Sequence, residues 1–294
     1  MTKHKIGFIV HSGSGSKRKQ QAKEDFEAYI LKDTGYDLFK LDKAEDIVEV
    51  TADMALKNYE AVYACGGDGT LNLVSGGLIH TETALGIIPF GSGNGYARHH
   101  NMPLDWAQAL KSMDNHIMSQ RDTGLINGMH FLNMAGIGYS AKISQEFKNS
   151  RGRGLRGYLN SIGKNLKTGA FPVSLSNKDA VWAGESFMVD FANGSQWGNN
   201  VKIAPNTRDD DGILAAVVFK KISPLRLPVI GFKLLTNTSE SSTDIYRVKG
   251  EAFILQFEGE QPMHVDGDYV GVAQEKVVVE VNHKSLKLWL FNNK

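Results

Sequence analysis

The chain has 294 residues, of which 41% are hydrophobic and 22% charged, and its 33 basic against 32 acidic side chains leave a formal net charge of +1. That balance is globular and near neutral, which excludes a disordered chain and gives no whole-molecule attraction to nucleic acid; any pull towards an anionic surface has to be local. A single cysteine, Cys65, excludes a disulfide framework and a thiolate zinc site, and fits a cytoplasmic setting.

The length favours two domains. No run approaches the ~20 apolar residues of a membrane span, and Ile6 to Val10 is too short for a signal-peptide core.

In chain order, the segment up to about residue 115 alternates short apolar runs with longer amphipathic ones, a βαβα pattern. Ile6 to Val10 reads as a strand, and Lys17 to Leu31 as a helix with Phe26, Tyr29 and Ile30 on one side. Tyr36 to Lys40 is a second strand. Ala61 to Ala64 and Leu85 to Ile88 are further strands, each running into glycines, Gly66-Gly67 and Gly91-Ser92-Gly93. Parallel strands bind ligands beyond their carboxyl ends, so these loops point to one shared cleft in an α/β domain with a parallel sheet.

Beyond Asp122 β-rich runs dominate: Phe187 to Phe191, Ile213 to Phe219, Lys276 to Val281 and Leu286 to Phe291. They predict a β-rich, sandwich-like second domain, with helical insertions over about 155–168 and 224–235. The expected division is 1–122, which a C-terminal strand over 283–294 can complete, and 123–282.

The sharpest motif is Gly66-Gly67-Asp68-Gly69-Thr70-Leu71-Asn72, between a strand and an apolar-periodic helix. Glycines let backbone amides approach a polyphosphate, and the helix N-terminus adds partial positive charge. A carboxylate in such a cradle repels phosphate unless a metal or a transferable proton is involved, so Asp68 reads as a general base or a contact to metal-bound water. The alternative is a tight turn with an aspartate cap. The loop Pro89 to Gly95 offers Gly91, Ser92 and Asn94 to phosphate oxygens. His11-Ser-Gly-Ser-Gly-Ser-Lys17 offers Ser14, Gly15 and Lys17; it fits neither the Walker nor the dinucleotide pattern.

In the second domain Asp209-Asp210-Asp211-Gly212 can hold a hard cation or form a solvated turn, and Asp266-Gly267-Asp268 can be an acidic site or a hairpin. His99-His100 has no zinc spacing, and Cys65 reads as a buried filler. From Phe147 to Asn177 there is no acid, while Lys148, Arg151, Arg153, Arg156, Lys164 and Lys167 alternate with apolar residues at helical spacing. Such a segment suits either an anionic membrane interface or packing on its own core.

Taken in order, Gly66 to Asn72, Gly91-Ser-Gly-Asn94, Asp122-Thr-Gly, Asn127-Gly128, Phe131 to Gly138, Ala204-Pro-Asn, Asp210-Asp-Gly212 and Val265-Asp-Gly-Asp268 resemble the diacylglycerol kinase catalytic family, which includes bacterial lipid kinases and the sphingosine and ceramide kinases. The resemblance spans nearly the whole chain. It implies an ATP- and Mg²⁺-dependent kinase for a lipid hydroxyl, with an α/β nucleotide-binding domain, a lipid-binding second domain and an interdomain ATP site. Asp68, Asp122 and Asp268 would be catalytic, with Asp68 the proton acceptor. Ser14, Gly15, Lys17, Gly66, Gly67, Gly69, Thr70, Gly91, Ser92 and Asn94 would hold the nucleotide, and Asp210 and Asp211 the magnesium. The implied partner is a lipid at a membrane surface, met peripherally, with no nucleic acid and a homodimer left open.

The chain departs from the pattern in places. His11-Ser12 replaces the usual Asn-Pro, Asp268 the usual Glu, and Gly95 after Asn94 looks more like the sphingosine-kinase form. Two other readings stay open: an NAD kinase-like enzyme, which would phosphorylate NAD, and a silent nucleotide- or lipid-binding module, which would bind ATP without turnover.

Overall fold

The computed structural model describes residues 5–11, 17–32, 35–149, 169–223 and 226–292. The chain divides into two compact units, Met1–Arg121 with Lys284–Lys294, and Asp122–His283.

In the first unit the apolar runs become strands β1 (Ile6–His11), β2 (Tyr36–Leu41), β3 (Ala61–Gly66) and β4 (Ala84–Pro89). β1 pairs in parallel with β2 and with β3, and β3 pairs in parallel with β4, so the carboxyl ends of these strands share one edge. β3 and β4 are buried at every position, which is why they read as continuous apolar runs rather than alternating ones. Helix α1 (Lys17–Ile30) lays Phe26 and Ile30 on one face of the sheet, where they join Phe8, Tyr63, Cys65 and Phe90. Helix α2 (Ala44–Leu56) buries Ile47, Thr51 and Met54, and α3 (Asp68–Gly76) buries Leu71 and Val74, both at helical spacing. Burial pushes the Cys65 thiol well above its ordinary value, so it stays protonated, an inert filler.

The last strand, β13 (Asp268–Phe291), ends in this unit, where Leu288 pairs in parallel with Leu85 of β4. The sequence reading had two strands here, Lys276 to Val281 and Leu286 to Phe291. They are one strand, which runs on through the polar interruption Asn282-His283-Lys284 although Lys284 stands at φ 49°.

The second unit is β-rich. β5 (His116–Ile126) turns through Asn127 and Gly128, both at positive φ (48° and 81°), into β6 (Met129–Phe131), the backbone an Asn-Gly hairpin turn needs. β7 (Met134–Gly138), β9 (Val181–Ala192), β10 (Leu214–Lys220), β11 (Ile245–Gly250) and β12 (Ala252–Val265) follow, with β8 (Phe171–Ser176) before β9. These strands join edge to edge through hydrogen bonds. Their inward residues, among them Phe131, Ile137, Val173, Phe191, Ala216, Phe253 and Val277, form one apolar core.

β7 and β8 are two halves of a single strand position. Gly138 pairs with Met188 of β9 and Phe171 pairs with Ser186, while Ile137 pairs with Met263 and Val173 with Phe257 along β12. The lane of β7 ends at Gly138 and is taken up again at Phe171. Helix α6 (Tyr139–Asn149) follows Gly138, and the basic segment read as a membrane or packing helix lies mostly outside the described residues. Gly138 makes the exit: its φ is +89°, and a Cβ there would come within 2.5 Å of the Phe187 carbonyl.

Candidate active site

The two glycine loops that follow β3 and β4 are held together by their backbones. Phe90 N and Gly91 N donate to the Gly66 carbonyl at 2.8 and 3.2 Å. A Cβ on Gly91 would lie 2.5 Å from Gly67 Cα, and one on Gly66 would lie 2.3 Å from Thr70 Oγ1. Glycine is thus required at 66 and 91 by close approach, and the result is a side-chain-free shelf beside the N-terminus of α3, where unpaired amides favour an anion.

Asp68 joins the loops a second time. Its Oδ2 accepts Gly95 N at 3.0 Å and its Oδ1 accepts Tyr96 N at 3.1 Å, the first amides of α4 (Gly95–His99). The carboxylate serves as a cap supplied from another loop, with its charge favourably placed at a helix start. Asn94 precedes it in the left-handed region (φ 48°), and its Oδ1 is buried without a hydrogen-bond partner. Gly69 and Thr70 lie in the first turn of α3 and Thr70 is buried. Ser92 Oγ accepts from Lys19 Nζ at 3.2 Å, and the same ammonium donates to the Gly91 carbonyl. Burial, then the neighbouring Lys23, lowers the Lys19 pKa from the ordinary 10.5. Ser14 and Gly15 lie outside the described residues, as does the side chain of Lys17, whose backbone opens α1.

In the second unit Asp122 is buried to 0% exposure, with Oδ2 accepting Gly212 N at 2.7 Å and Oδ1 lying 2.8 Å from His283 Nδ1. Its own amide donates to the Asp209 carbonyl at 2.6 Å. Both its oxygens face protein donors, and the carboxylate shapes the 209–212 turn. Asp210 is paired in two places with Arg208, at 2.9 and 3.2 Å, and Asp211 Oδ1 accepts Ile213 N at 3.2 Å. Asp268 is exposed and pairs with Val265 across the β12–β13 hairpin, whose turn is Asp266 (φ 47°) and Gly267 (φ 86°). Asp266, not singled out by itself in the sequence, accepts the amides of Leu132, Asn133 and Met134 at 2.8–3.0 Å and so fixes the entry to β7.

Two further groups escaped the sequence reading. Lys19 lies two residues beyond the loop lysine that drew attention, and only the fold brings it to Gly91. Asp190, fully buried, accepts Ser140 Oγ at 2.7 Å and Trp197 Nε1 at 3.0 Å, and lies 3.1 Å from His264 Nε2. Gly136 makes room for it, since a Cβ there would sit 2.0 Å from Asp190 Oδ1. The signal available in sequence was a polar residue between apolar neighbours in each strand, Asp190 between Val189 and Phe191 and His264 between Met263 and Val265.

The family model described as the diacylglycerol kinase catalytic domain matches residues 5–126. A protein of Pseudomonas aeruginosa named "Probable lipid kinase YegS-like" is 30% identical over 224 residues, covering 73% of this chain and 72% of that one. A Bacillus subtilis protein named diacylglycerol kinase is 25% identical over 249 residues, covering 82% and 81%. Among solved structures, one described as a diacylglycerol kinase from Bacillus anthracis str. Sterne superposes with a TM-score of 0.72 at 22% identity, covering 100% of this chain and 98% of that one, a likeness of fold.

Proposed function

Since the chain belongs to the diacylglycerol kinase catalytic family and is a lipid kinase, we propose that it transfers the γ-phosphoryl group of ATP, with Mg²⁺, to the hydroxyl of a diacylglycerol, a sphingoid base or a related lipid. The observation that carries the nucleotide half of this reading is the double join between the Gly66–Thr70 and Gly91–Asn94 loops. One join is the backbone approach of Gly67 to Gly91, and the other is the Asp68 carboxylate on the Gly95 and Tyr96 amides.

Phosphoryl transfer asks chiefly for positioning and charge neutralisation. The shelf of glycines and the α3 N-terminus would take the β- and γ-phosphates, Lys19 supplies a cation at the loop rim, and the unpartnered Asn94 Oδ1 suits a donor brought by the ligand. Asp68 accepts two amides, which fixes the direction of its carboxylate. We assign it the orientation of the loop pair and of the incoming hydroxyl, whose proton it accepts. In the reaction the lipid oxygen bonds to the γ-phosphorus and gives its proton to the Asp68 carboxylate, as the bond from that phosphorus to the β–γ bridging oxygen breaks and ADP leaves.

Mg²⁺ fits the chemistry of the 209–212 turn. Asp210 and Asp211 are hard oxygen donors at the surface, and the Arg208 pair that occupies Asp210 is solvent-exposed, the kind of pair a divalent ion displaces at small cost. The ion would neutralise phosphate charge. Asp268 is proposed as a further carboxylate of the reaction, on the family resemblance.

The test is incubation of the pure protein with γ-labelled ATP, Mg²⁺ and a fractionated lipid extract. A labelled phospholipid supports the reading. Label in NADP when NAD is supplied, or ATP binding with no labelled product, replaces it with one of the alternatives.

A further inference from the structure

The reading of a lipid acceptor requires the protein to meet a lipid surface, and one helix of the second unit is apolar on the side away from its core. Helix α7 (Leu227–Leu235) packs Ile230 and Leu234, each 5% exposed, into the cluster formed with Met188, Val217, Phe219 and Ile245. At about 100° per residue, Phe232 falls roughly opposite the midpoint of that pair, with Val229 and Leu235 each about 60° to either side of it. These side chains are 66%, 52% and 59% exposed. An ordinary surface helix would carry charged or polar residues here, since a helix that is hydrophobic all round normally lies in a core or in lipid.

The segment that carries this face is basic, with Glu240 the first acid beyond it. Residues 220–239 contain Lys220, Lys221, Arg226 and Lys233 and no acid. Two of these cations are held locally, Lys221 by Glu185 and Arg226 by Asp244, both at 2.8 Å. Lys220 and Lys233 make no ion pair among the described residues, and Lys233 flanks the Val229 side of the apolar stripe. A stripe of large apolar side chains with a basic edge matches an anionic phospholipid interface, apolar residues entering the acyl boundary and ammonium groups remaining at headgroup level. It matches a second copy of this chain less well, because the unpaired charges on the face are alike and would be set against each other.

We propose that the outer face of α7, through Val229, Phe232, Leu235 and Lys233, is the surface by which this protein seats on an anionic bilayer. The inference rests on the lipid-kinase reading for its purpose but not for its measurement, because seating needs neither nucleotide nor turnover.

The experiment is co-sedimentation of the whole chain with vesicles of phosphatidylcholine containing phosphatidylglycerol, without ATP. The variants are Phe232→Ser/Leu235→Ser and Lys233→Glu, each checked for unchanged thermal unfolding, as expected for exposed positions. The double variant is expected to lose at least about tenfold in vesicle partitioning, given the apolar area withdrawn. Lys233→Glu is expected to weaken binding to the phosphatidylglycerol vesicles while leaving pure phosphatidylcholine vesicles unaffected. Both should phosphorylate a short-chain, water-soluble diacylglycerol as the wild type does. Wild-type protein that fails to sediment with vesicles overturns the proposal. So does equal binding by the double variant, or a wild-type dimer that the double variant breaks in the absence of vesicle binding. Vesicle binding that depends on Phe232 and Leu235 in a protein that phosphorylates no lipid would leave this surface standing and remove the kinase reading instead.

Discussion

His283 Nδ1 donates to Asp122 Oδ1 at 2.8 Å, and the other oxygen of the same buried carboxylate holds Gly212 N, so one side chain ties the 209–212 turn to the end of the unit's last strand. Replacing Asp122 with Ala strands both donors. The expected loss of folding stability is about 2–4 kcal/mol, the usual cost of leaving buried polar groups unpaired. His283→Ala should cost less, about 1 kcal/mol or below, because the ring is half exposed. Urea unfolding of the two variants measures the difference, and equal losses would show that Asp122 does not organise the turn.

Gly91→Ala tests the shelf. The new Cβ would meet Gly67 Cα at 2.5 Å and Asn94 Oδ1 at 2.4 Å, so the two loops have to separate. The KM for ATP should rise by about tenfold or more, since positional errors of ~1 Å at a phosphate site are costly. Steady-state kinetics at saturating lipid reads this directly.

Lys19 gives a pH signature. Burial lowers its pKa, so the ammonium that faces Gly91 and Ser92 loses its charge at a lower pH than an ordinary lysine would. The protonated form attracts phosphate and the neutral form does not. ATP affinity should therefore fall as pH rises from neutrality towards the ordinary lysine value of 10.5, and Lys19→Met should be weaker near neutrality, flat over that range and matched by the wild type at its upper end. Titration of ATP across that window, in wild type and variant, gives both curves.

The metal assignment predicts that Asp210→Asn and Asp211→Asn each raise the Mg²⁺ concentration needed for half-maximal activity, with little effect on folding because both residues lie at the surface. Activity as a function of free Mg²⁺ checks it.

A prediction independent of catalysis concerns Asp190. Gly136→Ala would drive a Cβ to 2.0 Å from its Oδ1 and displace the carboxylate from Ser140, Trp197 and His264. A loss of about 3 kcal/mol or more is expected, as for other broken buried networks, and chemical denaturation measures it.

What could be read without coordinates followed locality. Cys65-Gly66-Gly67 and Ile88 to Gly91 declare strand ends because an apolar run stops at residues that only a turn or a close approach requires. The shared lane of β7 and β8 could not be read, since Gly138 and Phe171 become neighbours only through β9 and β12. Lys276 to Phe291 looked like two strands because polar residues interrupt a pattern that hydrogen bonding continues. In the site, the glycines were visible as glycines, while Asp68 reads from sequence as a base or metal-water contact, with a cap as the alternative, and its amide partners Gly95 and Tyr96 come only from the fold. Lys19, Asp190 and His264 carry no motif, and their roles come from what folds against them.

The central claim is that Asp68, fixed between the two glycine loops, makes the site competent for phosphoryl transfer. Its most direct measurement is the turnover of Asp68→Asn against wild type, with labelled ATP and the lipid acceptor found in the extract, both proteins shown to be folded. The amide keeps one oxygen for a loop hydrogen bond but removes the charge, and a fall of about 100-fold or more in kcat is predicted. Wild-type turnover by a folded Asp68→Asn protein would contradict the account.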